Sequence, residues 1–212
     1  MAKPLVEVDT IYDAALRILD KGGVEALNAR NLAAQLKCST RTLYNQVGKR
    51  DELVDQLMNY YFGGLEFEFK DSDCWQESTR SWANNLREAL LSHPNLTRLM
   101  TLEHRAPFAD CATALLKVLL RAGFSQQLAL RSCRALTHFV MNLTLEEIIA
   151  PRSESESKRR ARKEIQFEDL VIANSHRGRT SPLKTPEVFD NTLDWLLIGI
   201  ESELHHAAKG SP

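Results

Sequence analysis

Between Asn28 and Arg50 the chain holds five basic side chains, Arg30, Lys37, Arg41, Lys49 and Arg50, and no acid. Such a local surplus neutralises phosphates even in a chain whose formal net charge is −1. Threaded among the charges are Ser39, Thr40, Thr42, Tyr44, Asn45 and Gln46, side-chain types that address a DNA groove. Arg pairs with guanine through two hydrogen bonds, Asn and Gln do the same with adenine, and a Thr methyl meets the thymine methyl. A tyrosine hydroxyl suits a phosphate oxygen, with its ring against the sugar. A solvated basic face would show the same charge count, so the elements that hold these residues must decide.

Those elements are short helices. Asp9 is a suitable N-cap for a helix to about Leu19, with Ile11, Ala14, Ala15, Ile18 and Leu19 at steps of three and four. Lys21-Gly22-Gly23 stops it. Asn28 then caps a helix that turns Leu32, Ala33 and Leu36 inward, and Ser39 caps another through about Gln46. Leu43 and Val47 of this helix face inward while Thr40, Arg41, Tyr44 and Asn45 fan outward. Gly48 breaks it, and Asp51 and Glu52 open a fourth helix with Leu53, Leu57, Tyr60 and Tyr61 as its inner stripe. Helix, four-residue turn, helix, with a polar fan on the second, is the pattern of a helix-turn-helix.

The run from Ala14-Ala15-Leu16 through Gly22-Gly23-Val24-Glu25-Ala26-Leu27-Asn28-Ala29-Arg30-Asn31-Leu32-Ala33-Ala34-Gln35-Leu36 resembles the head of the tetracycline-repressor (TetR) family. So does Ser39-Thr40-Arg41-Thr42-Leu43-Tyr44-Asn45-Gln46-Val47-Gly48-Lys49-Arg50-Asp51-Glu52-Leu53. The resemblance implies groove contacts by Ser39, Thr40, Arg41, Thr42, Asn45 and Gln46. It implies phosphate contacts by Arg30, Tyr44, Lys49 and Arg50. Lys37 departs from the pattern, since family members usually have glycine in the turn; either the lysine enters the left-handed region at a cost of about 1 kcal/mol or more, or the turn is remodelled.

The rest of the chain must carry whatever controls this head. Of 212 residues 43% are hydrophobic, which supports a packed core and excludes a disordered chain. No apolar run approaches the length of about 18 residues that spans a membrane. The stretch before Glu7 has no apolar region of secretory type, and the four cysteines contain no C-x-x-C pair. These features predict a cytoplasmic protein with reduced thiols and neither a disulfide frame nor a zinc site. Residues 1–64 balance eight basic against eight acidic side chains, and 65–212 hold 19 against 20. We therefore expect an all-α chain: a three-helix helix-turn-helix head in 1–64 and a helical ligand-binding and dimerisation domain in 65–212.

Within 65–212 the spacing predicts helices from Trp75 to about Ser92, at 95–103, at 107–121, from Ser125 to Ile149, and from near Pro186. The last has a stripe of Phe189, Leu193, Leu196, Leu197, Ile200 and Leu204. Trp75-Gln76, Ala89-Leu90-Leu91-Ser92-His93, Ala122-Gly123-Phe124-Ser125, His138-Phe139, Glu146-Glu147 and residues 196–204 resemble the branch nearest the tetracycline repressors. The resemblance implies a homodimer through the helices near 125–149 and 186–207; the alternative is that the stripe serves only the chain's own core. A dimer would place two heads on the half-sites of a palindromic double-stranded operator. The basic run Lys158 to Lys163 is flanked by acids and interrupts the ligand domain, so it reads as a mobile loop or the start of an exposed helix rather than as a nucleic-acid tract.

In that branch, one histidine after the His-Pro region and another at the His138 position line a cavity that holds a metal-chelated drug. Here His138 and Glu146 match, but the other histidine's place falls at Leu99 or Met100, so no metal or cofactor is expected. The candidate lining is apolar and aromatic, with Trp82, Leu86, Met100, Phe108, Leu116 and Phe139. His104, Arg105, His138, Asn142 and Glu146 are its candidate polar members, and His138 with Glu146 could equally serve the dimer. Such a lining suits a drug-like or lipid-like effector. The expectation is a non-enzymatic, effector-released repressor. The rivals are an activator with the same head, or a helical enzyme using His104, His138 and Glu146. No hydrolase, metalloprotease or nucleotide-binding motif supports the enzyme.

Overall fold

A computed structural model describes residues 6–63, 72–100, 107–149 and 185–209, and among these the regular structure is entirely helical. The chain runs α1 (Val8–Gly22), a 3-10 turn (Val24–Ala26), α2 (Ala29–Gln35), α3 (Thr40–Val47) and α4 (Arg50–Phe62). It continues with α5 (Trp75–Ser92), α6 (Pro94–Thr97), α7 (Ala109–Arg121), α8 (Gln126–Ile149) and α9 (Thr185–Lys209).

The helix starts in the head follow from capping chemistry. The Asn28 side chain accepts a hydrogen bond from the Asn31 amide at 3.0 Å, and Ser39 Oγ accepts one from the Thr42 amide at 3.1 Å. Each satisfies one of the four amides that a helix start leaves unpaired. The first helix differs from expectation: it begins at Val8, with Glu7 in the cap position making no side-chain bond, and Asp9 sits in its first turn. There the acid still faces the positive end of the helix dipole.

The turn between α2 and α3 is closed by two backbone bonds. Cys38 N–H donates to Ala33 O at 3.0 Å, and Lys37 N–H donates to Ala34 O at 3.3 Å. This paired arrangement requires a left-handed residue after the helix, usually glycine. Lys37 takes that place with φ 53°. A side chain there costs about 1–2 kcal/mol relative to the right-handed region.

α4 buries Leu53, Val54, Leu57, Met58 and Phe62, so its inner face is rotated from the expected stripe. Tyr60 is exposed and Tyr61 half-buried. Both rings pack sideways instead, Tyr60 against Tyr12 of α1 at 5.0 Å between centroids and Tyr61 against His93 at 4.3 Å. The 95–103 helix is shorter than expected, ending at Thr97, and residues 101–106 lie outside the described set.

In the body, α5, α7, α8 and α9 pack around Trp82, Leu86, Leu90, Leu115, Leu119, Leu136, Val140, Phe189, Leu193 and Leu197. The boundary expected at 64/65 falls in 64–71, outside the described residues. Apolar packing nonetheless runs from head to body in one cluster, with the Phe62 and Phe108 rings 4.8 Å apart. Polar contacts tie the same junction. Asn95 Nδ2 donates to Leu19 O at 2.8 Å, Tyr61 Oη and Ser92 Oγ are 2.7 Å apart, and His93 Nδ1 lies 3.2 Å from both Asp20 carboxylate oxygens. The ends of α1 and α4 thus both grip the corner between α5 and α6.

Candidate nucleic-acid interface and regulatory body

α3 buries only Leu43 and Val47. Thr40, Arg41, Tyr44 and Asn45 are exposed, Tyr44 by 51%, and among the described residues their side chains have no partner. The other three polar candidates on this helix are engaged within the chain. Ser39 Oγ and Thr42 Oγ1 are 2.8 Å apart, in addition to the Ser39 cap. Gln46 Nε2 donates to Val6 O at 2.6 Å, and Gln46 Oε1 accepts from Val6 N–H at 3.3 Å. The Gln46 amide is thereby paired with the backbone ahead of α1. Sequence reasoning missed this bond because its partner lies 40 positions away.

The phosphate candidates frame the exposed fan. Arg30 is exposed on the first turn of α2, and Lys49 and Arg50 are exposed at the start of α4. Arg50 Nε donates to Leu27 O at 3.4 Å, which holds its stem across the gap between α2 and α4. A cavity of about 180 Å³ lies there, its rim including Leu27, Asn28, Tyr44, Lys49 and Arg50. Cations around a dent at two helix starts, where unpaired amides and the dipole favour anions, can seat a phosphate oxygen.

In the body, the structure distributes the candidate lining unevenly. Trp82 and Leu86 are fully buried, and Trp82 Nε1 donates to Cys111 O at 2.9 Å. Phe108 is buried; Met100, Leu116, His138 and Phe139 are half-buried. Phe139 stacks on Phe189 of α9 at 5.1 Å. Asn142 and Glu146 are exposed, while His104 and Arg105 lie outside the described residues. The acid that turns inward is Glu147, which accepts hydrogen bonds from Arg87 Nε at 3.1 Å and Nη2 at 2.7 and 2.9 Å. Arg87 also stands over the Phe189 ring at 5.1 Å. One residue along a helix turns a side chain by about 100°, so Glu146 and Glu147 face different surroundings. Among the described residues no group of three or more His, Cys, Asp or Glu is placed to hold a metal ion, and no helix is long and apolar enough to cross a membrane.

The stripe on α9 packs largely within the chain. Phe189, Leu193 and Leu197 are buried in the chain's own core, with Leu196, Ile200 and Leu204 half-buried against it. Arg80 pairs with Asp194, Gln76 Nε2 donates to Glu201 Oε1 at 2.9 Å, and Arg131 lies 3.9 Å from Glu203. The helix therefore has a second apolar face, with Trp195 71% and Ile198 65% exposed. The signal was present in the sequence, since these two residues fall off the main stripe.

A family model described as tetracyclin repressor-like, C-terminal domain, matches residues 70–204. The tetracycline repressor protein class E of Escherichia coli is 31% identical over 145 residues, covering 67% of this chain and 69% of that protein. An HTH-type transcriptional regulator of Saccharopolyspora erythraea is 33% identical over 92 residues, which span 43% of this chain and 39% of that regulator. Among solved structures, apo ActR of Streptomyces coelicolor superposes with a TM-score of 0.76 at 24% identity, covering 97% of this chain and 100% of that one. ActR has also been solved in complex with actinorhodin.

Proposed function

Because this chain belongs to the tetracycline-repressor (TetR) family, we propose that it is a DNA-binding transcriptional repressor released from its operator by a small-molecule effector. The observation that carries this reading is the set of exposed, unpartnered side chains on α3. In an eight-residue helix held by two buried residues, they bond to nothing among the described residues of the chain. Thr40, Arg41 and Asn45 read bases; Tyr44, Arg30, Lys49 and Arg50 bind phosphates. Ser39, Thr42 and Gln46 shape and hold α3. The homology is to regulators rather than enzymes, and exposed Glu146 does not support a catalytic pairing with His138.

The protein acts as a homodimer on a palindromic operator. Trp195 and Ile198, projecting from α9 with the exposed Gly199 one turn beyond Trp195, supply the apolar face for a second copy. Its effector enters the body among α5, α7 and α8, where Trp82, Leu86, Phe108, Leu116 and Phe139 supply aromatic and aliphatic surface. That ActR binds actinorhodin supports an aromatic, largely apolar effector class. Displacement of the α5–α6 corner is passed to the head through His93–Asp20, Asn95–Leu19 and Tyr61–Ser92. The effector must bind the released conformation more tightly than the operator-bound one, since equal affinity for both shifts nothing.

Selection of binding sites from random DNA, followed by footprinting at the chain's own promoter, tests the reading. A palindrome overlapping the promoter is the expected result, an upstream site would indicate an activator, and no selected sequence at moderate salt would refute DNA recognition. Sedimentation of the wild type and of Trp195→Asp tests the dimer: the substitution should shift the protein to monomer.

A further inference from the structure

We infer that Lys37 is an additional phosphate-contact residue of the operator complex, held in a turn whose geometry favours glycine because its charge acts there. This rests on the DNA-binding reading above. Among the described residues three other positions matter for comparison: the positive-φ positions at 23, 48 and 123 are all glycine, and Lys37 is the single side-chain-bearing residue in that region. The two bonds closing the turn, to Ala33 O and Ala34 O, fix the left-handed conformation whatever residue occupies it. Glycine would satisfy the turn without strain. A strained residue at such a place points to something its side chain does.

The position says what that is. Lys37 is exposed, and among the described residues its ammonium has neither an ion-pair nor a hydrogen-bond partner. It stands between α2, which in a helix-turn-helix crosses the DNA backbone, and α3, whose N-terminal end enters the groove. It follows Arg30 and precedes Arg41 in the acid-free stretch from 28 to 50. A flexible stem with a compact charge suits a phosphate, which needs no fixed approach direction, better than a base edge. Lys37 therefore adds charge without adding sequence preference.

Three variants separate strain from charge. K37G removes both, K37Q removes the charge and keeps the strained side chain, and K37R keeps both. Binding of the full-length protein to its selected operator is measured across a salt series, together with thermal melting. In K37G and K37Q the salt slope should fall by about 0.9 per half-site, with binding roughly fivefold weaker per half-site near 0.15 M salt. The loss should be equal on specific and non-specific DNA. K37R should keep the wild-type slope. Melting should rise by about 2–4 °C in K37G and stay near wild type in K37Q. If K37G folds poorly, K37Q alone decides the charge question. Wild-type slopes in both neutral variants would overturn the inference while leaving DNA recognition intact; a wild type with no selected site would overturn both.

Discussion

Among the described residues, four polar side chains of the eight-residue α3 face solvent without a partner, whereas on α5, α8 and α9 Arg80, Arg87 and Arg131 are each joined to an acid across a helix interface. Arg87 is the body's counterpart to Arg41. Its guanidinium is divided between the Glu147 carboxylate and the face of Phe189, while that of Arg41 bonds to none of the described residues. The difference separates two ways for a helix to use polarity. Paired groups hold the body in shape; unpaired groups keep their hydrogen-bonding capacity for another molecule. The same chemistry therefore means structure in one region and recognition in the other, and the presence or absence of a partner distinguishes them.

The comparison predicts a ranking of effects. Trp82→Ala, which empties the centre of the body and removes the bond to Cys111 O, should cost about 3–5 kcal/mol of folding stability, read by thermal or denaturant melting. A loss below about 1 kcal/mol would mean the body is not organised around that ring. Next, Arg87→Ala should cost about 1–3 kcal/mol, because it leaves the half-buried Glu147 unpaired. Adding Glu147→Ala should return part of that loss, and strictly additive losses in the double-mutant cycle would deny the pairing. Arg41→Ala should do the opposite: melting within about 0.5 kcal/mol of wild type, but about 1–3 kcal/mol less discrimination at one base pair of the operator. Arg50→Ala should weaken all sequences alike; matching behaviour of the two variants would break the assignment of roles.

Gln46→Ala sits between the classes and sharpens the comparison. It should lower stability by about 1 kcal/mol through loss of the Val6 bonds while leaving base discrimination unchanged. Relaxed discrimination with unaltered melting would return Gln46 to the readers. The smallest effect concerns the thiols. Burial pushes Cys111 up to about 12 and also raises Cys133. With a thiol reagent at pH 8, exposed Cys74 should react first and half-buried Cys38 more slowly, with Cys111 and Cys133 protected until unfolding. Because Cys111 is raised, its contribution to stability is complete below the ordinary thiol value of 9.0. It is lost as pH rises towards about 12.

The helical class, the caps at Asn28 and Ser39 and the breaks at Gly23 and Gly48 were legible in the sequence, because each depends on neighbours within a turn or two; at Lys37 the sequence left strain and a remodelled turn open, and the structure has the left-handed residue. What was not legible depends on distant partners. Gln46 has the right chemistry to read adenine, and only its pairing with Val6 assigns it to the fold. Glu146 and Glu147 are adjacent in sequence, and only the position of Arg87 selects the second. The stripe on α9 was found correctly by its periodicity, but periodicity says that a face is buried and not which chain buries it. Tyr60 and Tyr61 failed for a related reason: aromatic rings were counted as core, although a hydroxyl-bearing ring is equally suited to the edge of an interface.

The minimal anchoring of α3 by Leu43 and Val47 bears on how such a protein acquires a new target. Exposed residues whose side chains make no hydrogen bond or ion pair among the described residues can be exchanged with little effect on folding. At Thr40, Arg41, Tyr44 and Asn45, drift and selection act on operator preference with the scaffold nearly indifferent to the outcome. At Ser39, Thr42 and Gln46, every change is filtered first by stability. Divergence between duplicated copies, or laboratory redirection to a new promoter, should therefore begin at the four free positions and leave the three engaged ones in place.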